Sequence, residues 1–453
     1  MLLLILGLAA APPMPLVWRV AHIPSDQPLW TPVFARALAN SLFVGAGVAS
    51  ISFVVGTPLG LLTALYRFPG RRGLALLQAL PLLFPSFLPA IGWSNLAGIG
   101  WLARSAAPSG LLGTIIVLGL QAVPLPFFAT WAACRNLTAS QIEVARLHGG
   151  EKTVIFLAGR ACFGTGLLTA LLAGILSFSD PGAVLILGCR TAAVEITTSF
   201  SALFDFELAG KQCLALAIVV LALTCLHLEF GLRKLASAVL ARQTRPLTPY
   251  LHSGLATVAA CGLAGTAAIG VGLPLAGLCL PIIGNPMVGR AARTVAMTLW
   301  PTALYCGGAA VVAAGFGLVL AVVTRAGPRS RMAAMGVLLL LLTLPPSLSA
   351  LGFIYTSSAA AGSLDILLRS DFAVMLALGL RLLPVATVAL MRSVGSLSSS
   401  WLDAAALHGV PGPLFFRRVA LPLVLPGMGA AMLLVAVLSA AANRIRTATY
   451  AVL

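Results

Sequence analysis

The stretch ANSLFVGAGVASISFVVGTPLGLLTAL, residues 39–65, contains no charged side chain. An α-helix needs roughly 20 predominantly apolar residues to cross the hydrocarbon core of a bilayer. This stretch therefore predicts a transmembrane helix, placed near 38–66. Apolar segments of similar length recur along the whole chain. The sequence as a whole therefore predicts an all-α polytopic membrane protein.

The composition supports this fold class. Of 453 residues, 60% are hydrophobic and 9% are charged, and the mean hydropathy is +1.04. A soluble protein cannot cover its surface with so few charges. We assign the net charge of +17 to membrane topology and to the lipid bilayer, not to nucleic acid, because basic patches interleaved with aromatic residues are absent. The eight cysteines show no metal-ligand spacing, so we expect no metal and no other cofactor.

The apolar segments predict eleven membrane spans. They lie near residues 2–18, 38–66, 74–102, 111–133, 161–188, 212–230, 253–281, 294–324, 332–356, 372–391 and 421–440. Cytoplasmic loops of membrane proteins carry an excess of Lys and Arg. Threading the chain with its N-terminus inside places most of the basic residues in the cytoplasm, and the opposite orientation stays open.

The chain contains an internal duplication with an offset of 260 residues. PSFLPAIGW at 85–93 matches PPSLSALGF at 345–353, and IEVARLHGG at 142–150 matches LDAAALHGV at 402–410. Six helices per repeat is an even number, so we predict parallel repeats related by an axis along the membrane normal. Prolines interrupt the equivalent spans of both halves, where exposed carbonyl groups could line a pathway or simply mark kinked packing helices.

The duplication also predicts the domain organisation. We expect a first repeat at 1–235, a cytoplasmic linker at 236–252 and a second repeat at 253–453. The second repeat ends before the position that corresponds to the sixth helix of the first repeat. We therefore expect its last helix to be missing or truncated.

The duplicated Leu-His-Gly motif predicts a capped helix followed by a turn. A Ser followed three residues later by an acid is the pattern of a capping box. The predicted boxes are Ser140 with Glu143, and Ser400 with Asp403. Gly149 and Gly409 follow where a helix end favours a positive φ, and a second amphipathic piece should follow each turn. The small side chains of Ala145 and Ala405 should allow another protein to approach closely.

The motif resembles the EAA loop of binding-protein-dependent ABC importer permeases. DAAALHG at 403–409 followed by LPLVLPG at 421–427 matches that pattern well. EVARLHG at 143–149 matches its first part, but RACFG at 160–164 stands where Leu-Pro is expected. The resemblance covers nearly the whole chain, once in each half. It is strongest to the fused two-half subgroup associated with iron(III), thiamine and aminophosphonate uptake.

The resemblance implies a function and a set of partners. It implies a permease subunit of an ATP-driven importer in the bacterial inner membrane, with EAA loops at 140–162 and 400–422. These two segments are called the first and the second loop below. Each loop would dock on one of two cytoplasmic ATPase subunits, and an extracytoplasmic binding protein would deliver the substrate. The implied coupling residues are Glu143, Ala145, His148, Gly149, Asp403, Ala405, His408 and Gly409.

The sequence also offers an alternative function and two candidate pathway residues. GGEKT at 149–153 is not a phosphate-binding loop, because Glu151 stands where that motif needs Gly; ATP hydrolysis is therefore expected on a separate subunit. A secondary transporter with two parallel six-helix halves is the alternative function. Asp180 and Arg381 are candidates for the substrate pathway. Asp180 could equally be a polar helix end before Pro181, and Arg381 is expected to pair with an acid.

Overall fold

The fold is described from a computed structural model. It describes residues 28–97, 109–240, 253–283, 286–325, 327–348, 351–352 and 370–442, together with Trp18, His22 and Thr356. Across these described ranges the regular structure is helical and contains no β-strand. The all-α polytopic fold predicted from the sequence is thus confirmed.

The helices of the first part of the chain are long membrane-type helices separated by short ones. They are α1 (Pro32–Leu65), α2 (Arg71–Leu77), α3 (Leu80–Leu83), α4 (Phe87–Ala97), α5 (Gly110–Ala122), α6 (Pro124–Cys134), α7 (Ala139–Ser177), α8 (Gly182–Ile186), α9 (Ala192–Ser201) and α10 (Phe206–Leu240).

The later helices follow a similar order. They are α11 (Ser253–Ala267), α12 (Leu273–Cys279), α13 (Val288–Val323), α14 (Pro328–Thr343), α15 (Asp371–Gly395), α16 (Ser399–Leu407), α17 (Gly412–Phe415) and α18 (Leu421–Ala442). Short π-helical segments occur at Ala268–Gly272 and Phe416–Ala420, and a 3₁₀ turn at Leu280–Ile282.

Eight helical segments of the described chain are long and apolar enough to cross a membrane. They are Pro32–Leu65, Gly110–Cys134, Ala139–Ser177, Phe206–Glu229, Gly254–Ile282, Val288–Val323, Asp371–Gly395 and Gly412–Ala440. A ninth candidate is the pair Arg71–Leu83 and Phe87–Ala97, whose halves are bent by 96°. The chain is a multi-pass membrane protein.

Two of the predicted spans differ from this set. The span expected near 2–18 lies outside the described residues. The span expected near 332–356 begins as α14, but α14 ends at Thr343 and Leu344 has an extended backbone. Pro345 and Pro346 follow directly, and proline lacks the N–H that would continue the helical hydrogen bonds.

The chain divides into two compact units, one comprising residues 25–289 and the other comprising 290–453 with 1–24. In the first unit, α1 packs against α5, α6 and α7. A methyl group on Gly174 would lie 2.5 Å from the carbonyl oxygen of Gly45, so only glycine allows α7 to approach α1 this closely. Small residues permit such close helix packing in membranes, where lipid supplies no hydrophobic driving force.

Helix α11 also packs in the first unit, although the sequence places it in the second repeat. It contacts α1 and α2, while α12 contacts α4. Gln78 Nε2 donates hydrogen bonds of 2.8 Å to the Leu263 carbonyl and to Thr266 Oγ1. Because buried amide groups require partners, these bonds fix the position of α11 along α2.

In the second unit, small residues allow α13, α15 and α18 to meet. Ala310 and Ala313 of α13, Ala386 of α15 and Val435 of α18 form one fully buried cluster. A neighbouring cluster joins α13, α14 and α15 through four leucines. These are Leu320, Leu338, Leu380 and Leu383.

Candidate functional site

The first loop begins with a capping box that lies two residues before the predicted one. Thr138 Oγ1 accepts a hydrogen bond from the Gln141 backbone N–H, and Gln141 Oε1 accepts one from the Thr138 backbone N–H. The predicted box of Ser140 with Glu143 is therefore wrong. Thr-x-x-Gln satisfies the same pattern, and it caps the helix here.

The second loop has an equivalent cap. Ser398 Oγ accepts a hydrogen bond from the Ser400 backbone N–H. The predicted box of Ser400 with Asp403 is wrong, since Ser400 already lies inside the helix. Thr138 and Ser398 are separated by the repeat offset of 260 residues. Glu143 and Asp403 consequently both lie five residues after a cap, and both are exposed.

Glycine ends both short helices, but it does so at different positions. Gly409 has a φ of +65°, as the sequence predicts, whereas Gly149 has an extended φ of −161° and Gly150 has the positive φ of +63°. The prediction for Gly149 is therefore wrong by one residue. The left-handed region is costly for residues with a Cβ atom, and the Gly-Gly pair allowed either residue to adopt it.

The predicted second amphipathic piece is not a separate element in the first loop. After Gly150 the helix runs without interruption to Ser177. Residues 154–157 therefore form the first turns of a membrane span. In the second loop the chain continues through α17 and the π-helical segment into α18. Each short helix is thus followed closely along the chain by a span.

A pair of equivalent leucines is the most exposed apolar feature of the two loops. Leu147 is 85% exposed and Leu407 is 87% exposed. They immediately precede His148 and His408, which are also exposed. Single exposed apolar side chains are common on proteins, and what distinguishes these two is that they recur at equivalent places of a duplicated motif. These leucines were not among the predicted coupling residues, although the Leu of the duplicated Leu-His-Gly motif was the available signal.

The small residues of the motif face inward. Ala145 is buried in a core cluster that also contains Ile142 and Val154. Ala405 is half-buried and lines a cavity. The prediction that Ala145 would allow another protein to approach is therefore wrong, because its methyl group contacts its own chain.

The two histidines show no arrangement for a metal. His148 Nδ1 lies 3.0 Å from the Val144 carbonyl oxygen of its own helix. Within the described residues, no group of three or more His, Cys, Asp or Glu side chains could hold a metal ion.

A buried tyrosine connects the first loop to helix α1. Tyr66 is fully buried directly after α1, and its hydroxyl donates a 2.7 Å hydrogen bond to Glu151 Oε2. Arg146 Nε donates a 2.8 Å hydrogen bond to Glu151 Oε1. Burial, and then the hydrogen bond to Glu151, raise the pKa of Tyr66 well above its usual value. The side chain therefore stays protonated as a donor at neutral pH.

The second loop is held differently. Ala406 and Pro411 stand at the positions equivalent to Arg146 and Glu151, so the ion pair is not repeated. Arg325, directly after the end of α13, instead donates to two carbonyl groups at the end of α15, at 2.8 Å to Leu397 and 3.3 Å to Val394. A cation at a helix C-terminus compensates the partial negative charge there.

An apolar cavity of about 570 Å³ lies behind the second loop. Its walls include Val322 of α13, Val394 of α15, Ala405 of α16, Phe415 of α17 and Val424 of α18. The corresponding part of the first loop packs into a closed core around Ala145 and Val154. The second loop therefore has more space in which to move.

Each of the two proline breaks is stabilised by an equivalent side-chain contact. Gln121 Nε2 donates 2.8 Å to the Phe84 carbonyl, and Arg381 Nη1 donates 3.4 Å to the Leu344 carbonyl. Gln121 and Arg381 are separated by the repeat offset of 260 residues, and so are Phe84 and Leu344. Arg381 was expected to pair with an acid, but the structure shows it in contact with a backbone carbonyl. A helix broken before proline leaves a carbonyl without its usual donor, and a membrane core supplies no water in its place.

Asp180 joins the first break to α8. Its Oδ1 atom accepts 2.8 Å hydrogen bonds from Ser86 Oγ and from the Gly182 backbone N–H. The bond to the Gly182 N–H is the contact expected of a polar residue that precedes a helix, and a role of Asp180 in the substrate pathway stays a prediction. The bond to Ser86 also places this carboxylate beside the broken span. Its equivalent in the second half is Ala440, so the contact is not duplicated.

Comparisons with known proteins give one distant relative. No family model matches the sequence, and no solved structure matches the chain. Over 212 residues the chain is 26% identical to the Fe(3+)-transport system permease protein FbpB 2 of Haemophilus influenzae. This match covers 46% of the chain and 39% of the relative, so it spans about two fifths of that protein's length. Over these 212 residues the chain is thus distantly similar to a transport permease.

Proposed function

We propose that this chain is the transmembrane permease subunit of an ATP-driven ABC importer. The observation that carries the proposal is the duplicated loop geometry. A capped helix and an exposed leucine occur twice at the same spacing, and a glycine with positive φ follows within three residues of each leucine. One such helix would be an ordinary interfacial helix, whereas two equivalent exposed helices fit two equivalent partner subunits. The EAA resemblance and the permease relative support the same assignment.

The partners follow from this arrangement. Each of two cytoplasmic ATPase subunits receives one loop, with Leu147 or Leu407 seated in an apolar pocket of the ATPase. An extracytoplasmic binding protein delivers the substrate. Because the distant relative is named for Fe(3+) transport, iron(III) is the first cargo to test.

Coupling in this proposal is mechanical. Closure of the ATPase dimer displaces both short helices. The first loop passes the displacement to the continuous helix Glu151–Ser177 and, through Tyr66, to α1. The second passes it through α17 to α18. The contacts of Gln121 and Arg381 hold the broken spans that line the path and exchange partners as the path opens. This chain supplies no covalent chemistry.

The test is association with the cognate ATPase subunit, co-expressed with this chain. Leu147→Glu and Leu407→Glu place a charge on the docking surface without disturbing any buried contact. Each single variant should retain part of the association, and the double variant should lose ATPase co-purification and uptake at unchanged membrane expression. Leu203→Glu is the matched control, because Leu203 is 63% exposed but lies between α9 and α10, outside both loop segments of the chain. Wild-type association of the double variant would refute the proposal.

A further inference from the structure

Two cysteines lie in contact at the base of the first loop. Cys134 Sγ and Cys162 Sγ are 3.2 Å apart, and each residue is only 1% exposed. Cys134 ends α6, the helix that enters the loop, and Cys162 belongs to the part of α7 that leaves it. The proposed coupling mechanism uses neither thiol.

We propose that Cys134 and Cys162 form a reversible, peroxide-responsive dithiol–disulfide pair. A disulfide has an S–S length of about 2.05 Å, so the two sulfur atoms must approach by about 1.2 Å from their separation of 3.2 Å. Rotation about the side-chain bonds can supply that movement while the helices stay in place. Cysteines that are merely packed as small apolar residues need not point their sulfur atoms at each other.

A small cavity lies near the pair, although neither cysteine lines it. A cavity of about 190 Å³ lies between the same two helices, lined by Ala133 and Asn136 on one side and by Arg160, Ala161 and Gly164 on the other. Ala133 and Ala161 are the chain neighbours of the two cysteines. One water molecule occupies about 30 Å³ in the liquid, so hydrogen peroxide fits this space.

The chemistry balances with hydrogen peroxide as the oxidant. One thiol loses its proton, and its sulfur attacks a peroxide oxygen, so the O–O bond breaks and a sulfenic acid and water form. The second sulfur then attacks the sulfenic sulfur, the S–S bond forms and the S–O bond breaks, and a second water leaves with the remaining proton. Two thiols are oxidised and one peroxide is reduced to two waters. A dithiol reductant reverses the step by thiol–disulfide exchange.

The bond would fix the geometry of one loop only. It would link α6 covalently to α7, the helices that precede and follow the turn of the first loop, and so restrict their relative motion. The equivalent residues of the second half are Val394 and Pro422, so the second loop has no such bridge. The effect on transport rests on the proposed function, whereas formation of the disulfide does not.

The experiment uses the full chain in native membranes. Membranes are exposed to hydrogen peroxide, free thiols are blocked, and peptides are mapped by mass spectrometry with and without a dithiol reductant. We expect one peptide pair joining Cys134 to Cys162, lighter by about 2 Da than the two thiol peptides, and lost on reduction. Cys134→Ser and Cys162→Ala should each abolish it. Cys189→Ala is the matched control, because Cys189 is another buried cysteine and should leave the bridge unchanged.

A second readout follows function in the complex with the ATPase. Oxidation should reduce uptake several-fold in the wild type, reduction should restore it, and Cys134→Ser should be insensitive to peroxide. The proposal would be overturned if both thiols stayed reduced at peroxide levels that oxidise the exposed Cys279. It would also be overturned if either thiol were overoxidised without forming the bridge. A bridge that forms without changing uptake would refute the regulatory role alone, and a bridge in a chain that binds no ATPase would refute the proposed function alone.

Discussion

The hydroxyl of Tyr66 donates a 2.7 Å hydrogen bond to Glu151 across 85 positions of the chain. Tyr66 directly follows helix α1, and Glu151 begins the membrane-spanning part of α7. The bond therefore joins the neighbouring ends of two spans at the point where the first loop leads into the second of them. Glu151 also binds Arg146 of the short helix, so one carboxylate connects the loop to both spans.

Loss of this connection should uncouple the first loop. Tyr66→Phe leaves Glu151 without one donor inside the protein, a change worth about 1 kcal/mol. That is too little to unfold the chain, so expression should be normal. Uptake should fall several-fold while ATP hydrolysis by the complex continues. The ratio of substrate transported to ATP hydrolysed is the measurement. Phe68→Leu, at another buried aromatic near the same end of α1, serves as the control and should keep the wild-type ratio.

The glycines of the two loops should differ in their tolerance of substitution. Gly150→Val and Gly409→Val force a β-branched residue into the left-handed region, at a cost of roughly 1–2 kcal/mol. Both should reorient a short helix and weaken ATPase co-purification. Gly149→Ala has no positive φ to adopt and requires that Thr153 rotate its Oγ1 atom away and that its Cβ atom, 3.1 Å from the new methyl group, shift slightly. Equal loss of association in Gly149→Ala and Gly150→Val would contradict the assigned backbone geometry.

The second loop should be the more mobile of the two. It lies over an apolar cavity and lacks an equivalent of the ion pair that holds the first loop. Few packing contacts allow local opening at low free energy. Hydrogen exchange at residues 399–407 should therefore be faster than at 139–148 in the purified chain. Ala405→Leu, which adds apolar volume at the cavity wall, should slow exchange in the second loop and leave the first unchanged.

The donors at the broken spans should be required as donors and not as charges. Arg381→Leu removes the group that binds the Leu344 carbonyl, and an unsatisfied buried acceptor costs about 1–3 kcal/mol. Arg381→Gln installs the residue that the first half uses at the same position. Thermal stability and uptake should fall in Arg381→Leu and largely recover in Arg381→Gln. Failure of Arg381→Gln with full stability would show that transport needs the positive charge itself.

Both loops should lie on the cytoplasmic side. His148→Cys and His408→Cys place thiols at exposed positions without removing a buried contact. In intact cells an impermeant thiol reagent should label neither variant above the background of the native cysteines, and both should be labelled after permeabilisation. Labelling of either new thiol in intact cells would reverse the predicted orientation, and labelling of only one would contradict the parallel repeats.

The membrane fold followed from the sequence because its cause is local. An uncharged apolar run such as 39–65 must become a helix in a bilayer, where every backbone polar group needs a partner within its own segment. The duplication was equally visible, because an offset of 260 residues requires no structure to detect. The positions of both loops and the break before Pro345 were therefore predictable.

The details of the loops were not predictable from pattern alone. Two overlapping capping patterns lay within five residues of each other, and adjacent glycines offered two positions for one turn. In each case the packing of the whole helix, including the burial of Ile142 and Ala145, selects one register.

Tertiary structure alone brought distant partners together. Tyr66 and Glu151, Gln121 and Phe84, and Cys134 and Cys162 are separated by 85, 37 and 28 positions, respectively. No periodicity encodes such pairs, because a helix aligns only residues three or four positions apart. The sequence by itself determined which segments enter the membrane and that their pattern is repeated in the second half of the chain. Close packing between those segments decided which polar groups meet, since each buried donor or acceptor must find its partner on whichever helix lies beside it.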